Sequence, residues 1–272
     1  MDKKNIVLCA DINLYRFCEP LILSIQKNIN SDFQIHLVTD NDFKKYQNQF
    51  DFVKEYNFES QLKNLNIKNS FKPRYTHLST FCFARLLCIN YFDFNKMLYL
   101  DIDTLITSPI DELFDYNLND NVFGAYFEDY HSEFNTGVLL IDKNNYKKFK
   151  HNFDFIQIIK NMINNSETLI DDQSYINKHF FNCIQKIPKK YNFVLGFNRP
   201  NQAKIIHFAG GFKPWTNPLL VKLHHRYINS IYGLALYKSY NGKHYAFFNK
   251  NSMLFLMRLI KRKIKLHLPF RT

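Results

Sequence analysis

No acidic residue follows Asp172. The last hundred positions carry 18 Lys and Arg, whereas the first 172 hold 18 basic against 24 acidic residues, a net of −6. The formal charge of +12 therefore resides in the C-terminal hundred residues, a distribution suited to phosphorylated substrates, anionic lipid or nucleic acid. Long apolar runs are also missing. No stretch of about 18 uncharged apolar residues is available to span a bilayer. The start Met1-Asp2-Lys3-Lys4-Asn5 leads into too short an apolar run for a secretory signal. The five cysteines, Cys9, Cys18, Cys82, Cys88 and Cys183, are odd in number and show no Cys-x-x-Cys spacing. That excludes a complete disulfide framework and favours reduced thiols. A soluble or peripheral protein of the cytoplasm is expected.

What is present argues for a packed core. Hydrophobic residues make up 46% of the 272 positions, with 28 Phe and 17 Tyr, which excludes disorder. Short apolar runs alternate with segments of helical length. Asn5 to Ala10 reads as a strand ending in the polar turn Asp11-Ile12-Asn13. Residues 15 to 29 read as a helix in which Pro20 either sits in the first turn or kinks it. Phe33 to Thr39 is a second strand, Asp40 to Gln49 a polar helix, and Phe50 to Tyr56 a third strand. Strands alternating with helices imply an α/β fold with a mostly parallel sheet.

The chain is organised around Met97 to Leu100, four apolar residues that read as a strand buried on both faces, followed by Asp101-Ile102-Asp103. Two carboxylates at i and i+2 share one site, and like charges so close favour a hard divalent cation between them. A strand that simply ends in an acidic turn is the alternative. Arg85 stands alone on an apolar helical segment through Phe81 to Ile89, capped by Ser79 or Thr80. It either snorkels to water or, if that helix borders the acidic pair, faces it. Asn135-Thr136-Gly137 reads as a turn feeding an apolar strand, and Asp171-Asp172 as the acidic start of a helix. Ile205 to Trp215 places His207, Gly210, Gly211, Lys213 and the only Trp within eleven residues. Packing alone does not call for that cluster.

Taken in order, these segments resemble glycosyltransferase family 8, the retaining sugar-nucleotide transferases, over roughly residues 4 to 216. The resemblance implies a single Rossmann-like nucleotide-diphospho-sugar transferase domain of GT-A type, placed at residues 1–248. It further implies a UDP-sugar donor with galactose or glucose, Mn2+ or Mg2+, and a glycan or glycolipid acceptor. By the same resemblance, Asp11 and Asn13 hold the uridine, Arg85 and Asn135 touch the donor sugar, and Gly210 and Lys213 lie on the diphosphate. Asp101, Asp103 and His207 become the metal ligands, and Asp172 and Gln173 line the reactive face. Two departures stand out. Ser174 replaces an aspartate found in many relatives, and the segment between Glu128 and Phe134 is short, leaving Glu128 as a candidate acceptor contact.

Gln173 is a poor nucleophile, so retention is expected through attack on the same ring face as the departing phosphate, with Gln173 and Asp172 supporting the oxocarbenium. Lipopolysaccharide or another surface polysaccharide is the expected product class. The tail, residues 249–272, interleaves Leu, Ile, Phe and Met with Arg258, Lys261, Arg262, Lys263 and Lys265. As a helix it is amphipathic and basic, suited to the cytoplasmic face of an anionic membrane or, alternatively, to packing on the domain. Two other functions fit parts of the pattern. A haloacid dehalogenase-type phosphohydrolase would use the Asp-x-Asp but leaves the His207 segment unexplained. A nucleic-acid binder would use the basic half but leaves the acidic motif unexplained, so no nucleic-acid partner is expected.

Overall fold

A computed structural model describes residues 3–64, 80–149, 171–195, 202–210 and 213–215. The tail at 249–272 and most of the segments at 57–78 and 145–164 lie outside the described residues, as do Gly211 and Phe212.

The apolar run Met97 to Leu100 forms the strand β4 (Lys96–Leu100) beside β1 (Lys4–Ala10), near the middle of a seven-stranded sheet. The other strands are β2 (Phe33–Thr39), β3 (Val53–Asn57), β6 (Phe123–Glu128), β7 (Glu133–Asp142) and β8 (Ile184–Lys186), in the order β3-β2-β1-β4-β7-β6-β8. Pairing is parallel from β3 through β4 and again between β6 and β8, and antiparallel on either side of β7. The expected α/β fold with a mostly parallel sheet is thus present.

Strand periodicity divides the core. Ile6, Leu8, Leu98 and Leu100 point to the face covered by α1 (Glu19–Asn28) through Leu21, Ile22 and Ile25. Val7, Met97 and Tyr99 point to the opposite face, against α4 (Ala84–Tyr91) and α7 (Asp172–Phe180). Both faces are therefore covered, which is why the central strands read as continuous apolar runs rather than alternating ones. The shorter helices α2 (Lys45–Gln49), α3 (Glu59–Asn64), α5 (Asp111–Phe114) and α6 (Lys143–Phe149) complete the described α-helices.

A second, three-stranded sheet positions the site. After Asp101-Ile102-Asp103 the chain forms β5 (Thr104–Ile106), which pairs antiparallel with β10 (Ile205–His207), itself parallel to β9 (Phe193–Val194). The register sets His207 opposite Thr104, one residue from Asp103. The β5 backbone is satisfied on its other edge by α1. Ile106 N–H donates to Ser24 Oγ at 3.1 Å, and Asn28 Nδ2 donates to Ile106 O at 3.0 Å.

Two local expectations change. The helix over Asp40 to Gln49 shortens to Lys45–Gln49; ahead of it the Thr39 hydroxyl donates to Asn41 O at 2.7 Å and Asp42 Oδ1 accepts from Asn57 Nδ2 at 3.0 Å, tying that segment to the β2 and β3 ends. Asn135-Thr136-Gly137 is no turn; it lies inside the ten-residue strand β7. The glycine there answers a long-range packing demand described below.

Candidate functional site

Asp101, Asp103 and His207 come together, each offering one donor atom within 4.8 Å of the others. Asp101 ends β4, where its N–H donates to Gly137 O at 2.8 Å. Thr104 holds the turn between the two carboxylates by donating its N–H and its hydroxyl to Asp101 O at 3.0 and 2.7 Å. His207 enters from β10, with Nε2 3.4 Å from Asp103 Oδ1 and 3.8 Å from Asp101 Oδ2.

Each carboxylate turns one oxygen to His207 and gives the other to a fixed partner. Asp101 Oδ1 accepts from the Tyr99 hydroxyl at 2.6 Å and meets Arg85 Nη2 at 2.9 Å. Asp103 Oδ2 is paired with Lys213 Nζ, which also donates to Phe208 O at 3.3 Å. Burial opposes ionisation of Asp103, but the Lys213 ammonium beside it outweighs that and holds its carboxyl well below the usual range. Carboxylate oxygens and one imidazole nitrogen form a donor set suited to Mg2+, Mn2+ or Zn2+, and the residues present fit a divalent cation.

Arg85 does not snorkel outward. Its α4 face lies on the β4 end, with the guanidinium 4.6 Å above the Tyr99 ring and Nη1 donating to Thr136 O at 2.9 Å. It forms ion pairs with Asp101 on one side and with Asp172 on the other. Although burial disfavours its charge, these two carboxylates dominate and keep its pKa above the ordinary value. Burial pushes the Asp172 carboxyl up to about 6 against the pull of Arg85, with Asp101 and Asp171 adding to the rise. Asp171 caps α7 as its sequence position suggests, accepting from Ser174 N at 2.8 Å.

The remaining predicted residues fall into two groups. Asp11, Arg85, Asp101, Asp103 and Lys213 line one cavity of about 300 Å³, together with Tyr99 and Trp215. Trp215 is fixed by stacking on Phe17 at 4.6 Å. Asp11 Oδ1 accepts from the N–H groups of Asn13 and Leu14, both at 3.0 Å, tying down the β1 end. Gln173 shares Thr136 with Arg85, accepting from Thr136 N at 3.2 Å and donating to Glu133 Oε1 at 2.9 Å. Asn13 and Gly210 are exposed outside the cavity lining, Gly210 with a φ of 85° that suits glycine. Asn135 is buried, and its amide donates to Glu128 Oε1 at 2.7 Å. Glu128 is accordingly engaged by the protein itself.

Three contributors escape sequence reasoning. Gly137 makes room for the His207 ring, since a β-carbon there would lie 2.1 Å from Cε1. Tyr99 looks like an ordinary core aromatic. Asn192, fully buried between β8 and β9, touches His207 Nδ1 at 3.0 Å through its side-chain oxygen. Gly137 and Asn192 act on a ring 70 and 15 residues further along the chain, whereas Tyr99 acts on Asp101 only two residues away through a hydroxyl that a core aromatic does not advertise.

The sequence profile described as glycosyl transferase family 8 matches residues 5–218. The chain belongs to glycosyltransferase family 8. Its relatives include the glycosyltransferases GlyF and GlyE of Streptococcus pneumoniae, each 24% identical, with 81% and 78% of this chain aligned. The chain spans only 59% and 57% of those two proteins. Among solved structures, an active-site mutant of LgtC superposes with a TM-score of 0.68 at 19% identity, covering 88% of this chain and 95% of that one. GlyE superposes with a TM-score of 0.63 at 19% identity, covering 88% of this chain and 64% of GlyE. The family 8 chain thus shares the fold of LgtC. Membership displaces the phosphohydrolase alternative, and the geometry agrees: Asp171 is spent on a helix cap and Asp172 on Arg85, so neither serves the Asp101–Asp103 pair. Among the described residues, no helix is long and apolar enough to cross a membrane.

Proposed function

We propose that this family 8 chain is a retaining, divalent-cation-dependent hexosyltransferase that moves galactose or glucose from a UDP-sugar to a glycan acceptor. The Asp101–Asp103–His207 cluster carries this reading, because it opens on a cavity that also holds two cations, Arg85 and Lys213. A bound Mn2+ or Mg2+ would be held by these three side chains and would neutralise charge on the departing diphosphate. Lys213 would leave Asp103 to share that charge, and Asp11 would orient the nucleoside at the β1 end. Arg85, clamped by Asp101 and Asp172, would present its remaining donors to the donor sugar. LgtC, solved with donor and acceptor sugar analogs at a TM-score of 0.66 and 19% identity, supports a site of this kind on this fold.

Retention would proceed by same-face attack. The Gln173 carbonyl is held by the Thr136 N–H, and the Asp172 carboxylate is held by Arg85, so both would stabilise positive charge on the sugar rather than bond to it. Lipopolysaccharide or another surface glycan is the proposed acceptor class, reached at the cytoplasmic membrane face through residues 249–272. Incubation with Mn2+ and a panel of UDP-sugars should release UDP from a hexose donor, faster with a lipooligosaccharide acceptor. Absence of UDP release from every donor would refute the assignment. A covalent glycosyl adduct on Asp172 would refute the same-face route alone.

A further inference from the structure

A buried row of amides runs away from the His207 ring. Its Nδ1 lies 3.0 Å from Asn192 Oδ1; Asn192 Nδ2 lies 2.9 Å from Asn135 Oδ1; Asn135 Nδ2 lies 2.7 Å from Glu128 Oε1. Amide oxygen and nitrogen are hard to tell apart by shape, but two backbone groups remove the ambiguity here. Asn135 Oδ1 accepts from Gly137 N–H at 3.0 Å, and a peptide N–H can only donate. Asn192 Nδ2 also lies 3.4 Å from the Asn135 carbonyl, and a carbonyl can only accept. Asn192 therefore faces Asn135 with its NH2 group and faces His207 with its oxygen. The Glu128 carboxylate, an acceptor only, fixes the other end in the same sense.

An amide oxygen cannot donate, so the nitrogen opposite it must carry a proton. We infer that Asn192 is a positioning residue that locks His207 as its Nδ1–H tautomer, leaving the Nε2 lone pair directed at Asp101 and Asp103. Neutral imidazole in solution has no such constraint, and with the opposite tautomer it would point an N–H at the two carboxylates and offer no ligand atom. The seat at Gly137 stops the ring from tilting away, and the amide row stops it from flipping. Use of that lone pair as a metal ligand rests on the function proposed above; the tautomer itself does not.

The test uses the full chain, metal-free, with 15N in its histidine rings, and the His207 signals assigned by their loss in His207→Gln. On the neutral ring, Nδ1 should give the protonated-type signal and Nε2 the bare-type signal. Asn192→Asp keeps an acceptor opposite Nδ1 and should keep that signature. Asn192→Ala removes the acceptor and should shift the ring toward Nε2–H, with Mn2+ affinity by calorimetry falling about 10- to 100-fold. A wild-type ring protonated at Nε2, loss of the signature in Asn192→Asp, or an unchanged ring in Asn192→Ala would overturn the inference. If Asn192→Ala fails to fold, the wild-type and Asn192→Asp spectra decide. A wild type that shows Nδ1–H yet binds no Mn2+ would uphold the positioning and sink the metal-dependent function.

Discussion

The imidazole of His207 fills the space that a β-carbon at position 137 would occupy. A methyl group on Gly137 would sit 2.1 Å from Cε1 and 2.7 Å from each ring nitrogen, closer than any real contact, so the ring must move. Gly137→Ala should therefore cost about 1–3 kcal/mol of stability from overpacking. It should also lower Mn2+ affinity at least tenfold by displacing Nε2 from the aspartates. Denaturant titration and calorimetry check the two parts separately, and a stable variant with unchanged affinity would contradict the seating role.

Arg85 is the only cation in contact with both Asp101 and Asp172 among the described residues. Removing it leaves the buried Asp172 carboxylate without its cation and strips one of two partners from the half-buried Asp101, so Arg85→Ala should destabilise the fold by about 3–5 kcal/mol. Arg85→Lys keeps one charge but lacks the planar fork that spans two carboxylates, so it should recover part of that loss and little of the transferase activity. Full recovery of both by lysine would show that the fork is unimportant.

His36 offers a pH signal remote from the site. Its ring is buried against Phe92 and Phe94, with Nδ1 and Nε2 each 3.0 Å from Tyr56 Oη and Asn5 Oδ1. Burial lowers its pKa from 6.5 to about 4, with Lys54 and Lys3 adding. The unfolded chain then binds a proton that the folded chain refuses. This contribution to stability is complete above about pH 6.5 and lost as pH falls to about 4, by no more than about 3 kcal/mol. Urea titrations across that window should show the slope in the wild type and a shallower one in His36→Gln. Equal slopes would contradict the assignment.

The basic tail makes a separable prediction. Deleting residues 250–272 should move the protein from vesicles containing anionic lipid into the soluble fraction, while UDP release from a hexose donor persists. Unchanged sedimentation with anionic vesicles would count against the membrane role.

Much of the fold follows from local patterns. The apolar run at Met97 to Leu100 becomes the buried strand it suggests, Pro20 sits in the first turn of α1, and Asp171 caps α7. The clustering of Asp101, Asp103 and His207 is also as the resemblance implied. What stayed hidden depends on contacts between distant residues. Gly137 looks like turn chemistry until the His207 ring, 70 residues later, is seen above it. Arg85 is ambiguous until α4 is laid against the β4 end. Asn192 is one polar residue between two aromatics, and only its neighbours in space give it a role. Long-range packing overrides local preference at just these positions.

Titrating Mn2+ into the full chain in the presence of UDP tests the central claim most directly. The account predicts saturable heat for the wild type and its loss, without unfolding, in Asp103→Asn and in His207→Gln. No heat in the wild type, or undiminished heat in both variants, would contradict a cation held by these three side chains.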